Sequence, residues 1–449
     1  MRILSRGVTI NAADVGDLQE ALDQLPECGG AVYLPAGTYE IDRTVRCALK
    51  DRQHLHLYGD GRATIIRFTV TDGSNLLELT GVENSWWPDL KITIRDLTLV
   101  GNYDCGDAFY LRCPNDTMVD ACFFEAFGGT AIRVTPNATN VTIRDCWMRD
   151  CKRALHADNL HHLTFHGNQT RSSNDGQVQD EHLYIGRHCR EVRIVNNHLA
   201  YGHNEGIILD GTAQHVVANN TIEGFTVGIR AIDCRDIAIQ SNYLHCPTGV
   251  LMEADTRGMT VSGNLLTTNP EGAVVIRDAR GSGGHVITGN IIRRSLYDEP
   301  QRGIDLGDSV GCIVTSNTLE DISDASPIIC DGDPALHEIA NNCVRDTTAE
   351  ARERYRGGDV APVPEDHPYR GLYDYLSAIP PERDRIATGF WAFAREDVLG
   401  RPLPDAAKED RAWWANDPAN EQAAAWLSAG WLVTIVKCIE NRVAFARMR

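Results

Sequence analysis

Eight asparagines, Asn168, Asn197, Asn220, Asn242, Asn264, Asn290, Asn317 and Asn342, recur 22 to 29 residues apart, each at the same place in a repeated segment. The segments read VTIRDCWM, LTFHGNQT, VRIVNNHL, HVVANNTI, IAIQSNYL, MTVSGNLL, HVITGNII, CIVTSNTL and HEIANNCV. A period of this length, with one short strand and one bend per unit, belongs to a solenoid whose coils differ in their loops. A unit this small cannot bury its apolar face alone, so every coil must stack on its neighbours. An asparagine at the same bend of each coil can hydrogen-bond along the stack and satisfy turn groups that a narrow interior would strand. The asparagines are therefore structural, and no catalytic role is read into them.

Some 10 to 14 residues after each segment comes another strand: DAFYLRC, TAIRVTP, RALHADN, EHLYIGR, EGIILDG, VGIRAID, TGVLMEA, GAVVIRD and RGIDLGD. Alternation separates their faces. The inward set is Phe109/Leu111, Ile132/Val134, Leu155/Ala157, Leu183/Ile185, Ile207/Leu209, Ile229/Ala231, Val250/Met252, Val274/Ile276 and Ile304/Leu306, almost wholly apolar. Each coil is then three short strands with two tight bends and one longer loop. The predicted fold is all-β, a single-stranded right-handed parallel β-helix, which also explains how 449 residues avoid splitting into several globular cores.

Composition narrows the function. A net charge of −19 argues against nucleic acid and anionic membranes as partners, and no apolar run reaches the roughly 18 residues of a membrane span. An anionic sugar stays open, because a local arginine cluster or a bound Ca²⁺ reverses the field inside a groove. The fourteen cysteines include no CxxC pair and no zinc spacing. Cys122 and Cys146 fall one coil apart, as stacked small hydrophobes would, and the set is read as reduced thiols. The start, MRILSRGVTINAADVGD, has neither a sustained apolar stretch nor a small-residue cleavage site. The expected location is cytoplasmic if the sequence is complete and secreted if a signal has been removed.

Upstream, DLQEALDQLPECGGAVYLPAGTYEI opens a helix with Asp17 and Glu20 in capping-box relation, then turns through Gly-Gly into the strand AVYLP. This stretch resembles the N-terminal cap and first coil of the pectate-lyase-like superfamily, which includes polygalacturonases, mannuronan C5-epimerases and phage tailspikes. The resemblance runs over about residues 8 to 345 and implies the fold; the superfamily hosts lyases, hydrolases, epimerases and non-enzymatic adhesins, so it leaves the reaction open. The NTD, DD, GHG and RIK signatures of polygalacturonases, the YGFDPH of mannuronan epimerases and the RxPxxR of pectate lyases are absent. No site residue is carried over from them. The expected organisation is a cap and first coil over 1–45, the β-helix over 46–345 and an extension over 346–449. In the extension, a charged, proline-rich linker (TTAEARERYRGGDVAPVPEDHP) precedes DPANEQAAAWLSAGWLVTIVKCIENRVAFAR. That segment is predicted as one helix with Asp417 as N-cap, Pro418 at its first position and apolar residues at 424, 427, 431, 435 and 439, covering the open end or a flank of the β-helix.

The outward residues of the second strands are unusually varied: Tyr110/Arg112, Arg133/Thr135, His156/Asp158, Tyr184/Gly186, Ile208/Asp210, Arg230/Ile232, Leu251/Glu253 and Val275/Arg277. Strands about 4.8 Å apart place His156, Tyr184, Asp210 and Arg230 in one patch, bordered by Arg133, Asp158, Glu181, Glu205 and Glu253. Taken singly, such residues are ordinary solvated surface. Together, beside the long loop RSSNDGQVQD, they form a candidate catalytic set of His156, Tyr184, Asp210, Arg230, Asp158, Glu181 and Glu205. Tyr110, Arg112, Arg133, Glu253 and Arg277 are the candidate substrate contacts.

Two chemistries fit. In β-elimination from a uronic acid, an arginine or Ca²⁺ neutralises the carboxylate, His156 removes the C5 proton and Tyr184 protonates the leaving oxygen; epimerisation follows if the proton returns to the other face. In hydrolysis or intramolecular transfer, two carboxylates among Asp158, Asp210, Glu181 and Glu205 flank the bond. Elimination is placed first, with a glycan-binding spike or adhesin as the non-enzymatic alternative. The histidines His156, His161, His162 and His166 would scatter over different faces, which disfavours a metal site. The expected partner is a carbohydrate, with no certain cofactor, Ca²⁺ left open, and a trimer or dimer compatible with the fold.

Overall fold

The computed structural model describes residues 7–83, 88–173, 181–267, 269–279, 282–294, 301–322, 326–355, 360–438 and 441–448. Its solenoid makes about 13 turns. Each complete coil visits three parallel sheets in turn, as in Ala238–Gln240, Tyr243–His245 and Thr248–Glu253, before Thr260–Ser262 begins the next. One sheet has 14 strands, from Val8–Asn11 to Glu338–Ala340, and another has 12, from Val45–Ala48 to Ile328–Ile329. A third runs through the solenoid from Gly37–Ile41 to Leu265–Thr267. Every pairing is parallel between successive coils, so the core is a column of side chains stacked coil on coil.

The predicted inward pairs form that column: from Phe109/Leu111 to Ile304/Leu306, none is more than 2% exposed. The asparagines occupy the bend between the first and second strands of each coil. The residue before each has positive φ, as in Asn196, Asn219, Ser241 and Gly263, so the chain turns through the left-handed region and aims the next side chain inward. Asn242 is typical. Its Nδ2 donates to Val217 O (2.9 Å) and to Asn264 Oδ1 (3.0 Å), while its Oδ1 accepts from Asn220 N and Nδ2 (both 3.0 Å). The chain of bonds runs unbroken from Asn168 to Asn342. All fourteen cysteines are free thiols, and Cys122 and Cys146 are both buried. Asp17 caps the helix Leu18–Asp23, accepting from Glu20 N at 3.0 Å.

A second column of polar groups, at another bend, was not read from the sequence. His215 Nδ1 accepts from Val192 N (3.1 Å), His285 Nδ1 from Met259 N (3.3 Å) and His337 Nδ1 from Cys312 N (3.4 Å). Burial lowers His215 and His285 to about 4, so both are neutral acceptors. His182, bonded to Thr170 Oγ1 (2.7 Å) and Ser172 Oγ (3.1 Å), is lowered to about 3 for the same reason.

Residues 292–302, 318–327 and 343–449 form a separate compact unit. Its start differs from the predicted linker: Thr347–Arg354 is a helix, capped by Asp346, whose carboxylate accepts from Thr348 N and Ala349 N (both 2.9 Å). The long terminal helix is also corrected. Asp417 closes only a local turn onto Ala419 N, Asn420 is the N-cap, and the helix covers Glu421–Ser428 alone. After Gly430, at φ 83°, Trp431–Lys437 pairs antiparallel with Arg442–Arg447, which pairs in turn with Arg385–Gly389. The three-to-four spacing of Leu427, Trp431 and Ile435 imitates a helix, but WLVTIVK is a run of aromatic and β-branched residues after a helix-ending glycine, and it extends as a strand. The predicted apolar position 439 lies outside the described residues. The unit's core is aromatic, with Trp414, Trp426, Trp431, Phe393 and Phe445 all buried. Their indole N–H groups find Ala407 O, Asn416 Oδ1 and Leu376 O.

Candidate active site

The outer face of the 12-stranded sheet carries the predicted patch in two rows. In one, Tyr110, Arg133, His156, Tyr184, Ile208 and Arg230 pair across successive strands, and Leu251 and Val275 follow. In the other, Asp158, Gly186 and Asp210 sit two residues further along their strands, followed by Ile232, Glu253 and Arg277. The face is not polar throughout. Leu251 and Val275 are buried with Val227 in an apolar cluster, which ends the polar patch at Arg230 and Glu253.

At its centre, the rings of His156 and Tyr184 stack at 4.9 Å with 30° between planes. Arg153 Nη1 donates to His156 Nδ1 (3.1 Å), and His156 Nε2 lies 2.6 Å from Asp158 Oδ2. A guanidinium can only donate, so Nδ1 is the acceptor and the ring proton sits on Nε2, pointing at Asp158. Both ring nitrogens are thereby engaged. Arg153 is held by Glu181 at 2.6 Å and lies 5.7 Å over the Tyr184 ring. Tyr184 Oη donates to Asp210 Oδ2 at 2.9 Å. Burial, then that bond to Asp210, pushes Tyr184 well above the usual tyrosine range, so it stays protonated.

Gly186 lies on the strand between the two aspartates. A Cβ there would stand 1.7 Å from Asp158 Oδ1 and 2.7 Å from Tyr184 Cε1, so the Asp158 carboxylate occupies the space a side chain at 186 would fill. Asp158 and Asp210 are two strands apart, about 10 Å between backbones, and the lean of Asp158 over Gly186 shortens the gap between their carboxylates. Their side chains are 36% and 24% exposed, which leaves both reachable from solvent.

Three of the predicted arginines are committed to protein carboxylates. Arg112 pairs with Glu83 (2.9 Å), Arg133 with Asp107 (2.5 Å), and Arg230 bridges Glu205 (3.0 Å) and Glu253 (2.6 Å). Arg187, largely exposed, stands 4.0 Å from Asp210. Arg277 is exposed at the far end of the row, and Tyr110 is half-buried at the near end. Sequence reasoning missed Arg153 and Asp107. In Arg153–Ala157 the burial order breaks alternation, with Ala154 and Leu155 both buried, so Arg153 turns outward where a strict period of two would not put it. Of the loop 171–180, residues 174–180 lie outside the described residues. Beside the patch, where the same strands end, a concavity of about 600 Å³ is lined by Asn159, His188, Arg190, Gly211, Asp233 and their neighbours.

His161 and His162 stand on a different sheet from His156, and His162 pairs with Glu191. Residues 91–248 match the family described as Periplasmic copper-binding protein (NosD), and residues 206–357 match the one described as Right handed beta helix region. Among the described residues, no three His, Cys, Asp or Glu side chains group to hold a metal ion. No curated protein matches the sequence. Among solved structures, the A-module of the Azotobacter vinelandii mannuronan C-5 epimerase AlgE6 is 17% identical over 75% of this chain and 99% of its own, with a TM-score of 0.56. The catalytic unit of a thermostable GH87 α-1,3-glucanase from Streptomyces thermodiastaticus strain HF3-3 is 14% identical over 76% of this chain and 69% of its own, with a TM-score of 0.57. At these identities the likeness is one of fold. The stacked coils, the asparagine ladder and the matched β-helix region together identify the fold as a right-handed parallel β-helix.

Proposed function

We propose that this protein is a carbohydrate-active enzyme that cleaves or rearranges a neutral oligo- or polysaccharide laid across the 12-stranded sheet, with Asp158 and Asp210 as its paired carboxylates. The observation that carries the reading is the placement of these two carboxylates on either side of Gly186, on one face, beside an aromatic stack. Tyr184 supports the charge of Asp210, which suits a base or nucleophile. Asp158 is the donor of a proton to the leaving oxygen, and His156, 2.6 Å away, positions it. With water as acceptor the glycosidic bond is hydrolysed. With a substrate hydroxyl as acceptor the product is an anhydro-sugar. The two similar structures belong to enzymes named for mannuronan and α-1,3-glucan, which supports a glycan as the substrate class.

Elimination from a uronate loses support at two points. The lone pair His156 would need as a base is engaged by Arg153, and Arg112, Arg133, Arg153 and Arg230 are each paired with protein carboxylates rather than left for a substrate's. The test is incubation with neutral glycans and uronates, following ultraviolet absorbance and product mass together. Products heavier by water, or anhydro-sugars without new absorbance, are expected from a neutral glycan, and neither is expected from Asp158→Asn or Asp210→Asn. An absorbing unsaturated product from a uronate would replace this reading with elimination, and binding without turnover would replace it with an adhesin.

A further inference from the structure

The C-terminal unit also has a cleft lined by charged side chains. The cleft, of about 400 Å³, is lined by Arg294, Arg345, Arg352 and Arg385, with Asp321, Asp346 and Asp384 among the remaining walls. Two of these acids are spent on the protein. Asp321, with its side chain 3% exposed, accepts from Thr347 N (2.7 Å), Thr347 Oγ1 (2.6 Å) and Arg385 Nη1 (2.8 Å). Asp346 caps the helix Thr347–Arg354. Arg345 is balanced by Glu320 (3.1 Å) and Glu350 (2.8 Å), and Arg352 Nε donates to Arg447 O (3.0 Å).

Arg385 is different. Its side chain is only 9% exposed, one nitrogen is fixed by Asp321, and the other, Nη2, is buried with no hydrogen-bond partner. A buried cationic N–H without an acceptor is among the costlier defects a fold can carry, and the native arrangement is explained if an acceptor arrives from outside. The chemistry asked of it is narrow: a small group with several acceptor oxygens and negative charge, matched to guanidinium donors. Four arginines line the cleft and supply the guanidinium donors that such a group requires.

We propose that this cleft binds a small oxyanion, a phosphate or a carboxylate, with Arg385 Nη2 as the anchoring donor and Arg294 and Arg352 at its margins. The site is separate from the sheet face and does not depend on the glycan reading. Free inorganic phosphate and the charged group of an acidic sugar share this chemistry, so the titration has arms for both.

Full-length protein is titrated calorimetrically with inorganic phosphate, glucose 6-phosphate and glucuronate, each against chloride at equal ionic strength, and its melting temperature is followed in parallel. Saturable binding at millimolar or tighter Kd is expected from at least one, with a matching rise in melting temperature. Arg385→Lys keeps a cation facing Asp321 but removes Nη2, and should weaken binding by roughly tenfold or more. The Arg294→Gln, Arg352→Gln double variant, which leaves the buried pair intact, should weaken it similarly and remains informative if Arg385→Lys does not fold. Preference for phosphate or for glucose 6-phosphate and glucuronate assigns the source. Absence of saturable binding to all three, or affinity unchanged in the variants, overturns the proposal.

Discussion

Two polar columns climb the same solenoid on the same rise per coil, and they are built in opposite ways. In the asparagine ladder every coil contributes the same residue, each making the same bonds to the coils above and below, and the central members are at most 3% exposed. On the outer face of the 12-stranded sheet, successive coils contribute His156, Tyr184, Ile208 and Arg230, and no coil repeats its neighbour. Repetition solves a problem posed by the fold, the unsatisfied backbone of a sharp bend, and the fold poses it identically in each coil. Variation solves a problem posed by something that is not periodic. A ligand lying across several coils asks each for a different atom, and the bonds of the patch, from Arg153 through His156 to Asp158 and from Tyr184 to Asp210, accordingly run between unlike partners.

The contrast predicts that the columns fail differently. Asp158→Asn and Asp210→Asn should each lower kcat/KM on the glycan substrate by about 10³-fold, near 4 kcal/mol of transition-state stabilisation, with melting unchanged within a few degrees. A loss of stability in place of activity would put these aspartates with the ladder. Asn242→Leu should do the reverse. It strips partners from Asn220 N and Nδ2 and from Val217 O, and should cost roughly 3 kcal/mol in urea denaturation while the folded fraction keeps its specific activity.

Gly186→Ala sharpens the comparison inside the patch. Its methyl would stand where Asp158 Oδ1 now lies, so the carboxylate must swing away, and kcat should fall roughly ten- to a hundredfold. Unchanged turnover would show that the lean of Asp158 is incidental. The smallest effect per residue concerns the buried histidines. His182 at about 3, and His215 and His285 at about 4, are neutral in the folded chain, whereas the unfolded chain takes up their protons near the ordinary histidine value of 6.5. Their contribution is full above pH 6.5 and is lost as pH falls towards their folded values, at roughly 1 kcal/mol per pH unit for each. Urea midpoints measured between pH 7 and pH 4.5 should show this slope, and His182→Asn should reduce it by about a third.

Much of the scaffold was legible because it repeats. The inward pairs, the ladder and the Asp17 cap follow from periodicity and from what a bend or a helix end demands locally. The histidine column escaped because it is discontinuous: Ile237 stands in the same register between His215 and His285, so no single residue type marks the position. The terminal helix was misread because Leu427, Trp431 and Ile435 satisfy a helical spacing that a glycine and a β-branched run override. In the patch, alternation placed His156, Tyr184, Asp158 and Asp210 on the outer face, but it could not include Arg153, whose strand departs from alternation where the chain enters the sheet.

From the sequence alone came the period, the face each side chain takes and the residues that stack, since these depend on spacing along the chain and on backbone groups that every coil shares. Only the tertiary structure decided which atoms meet: that Arg153 occupies His156 Nδ1, that Asp158 leans across Gly186, that Arg112, Arg133, Arg153 and Arg230 are already paired, and that Arg385 keeps one buried nitrogen unpartnered. Those facts turn on donor direction and on displacements of an ångström between residues tens of positions apart, and a repeat fixes spacing along the chain without fixing them.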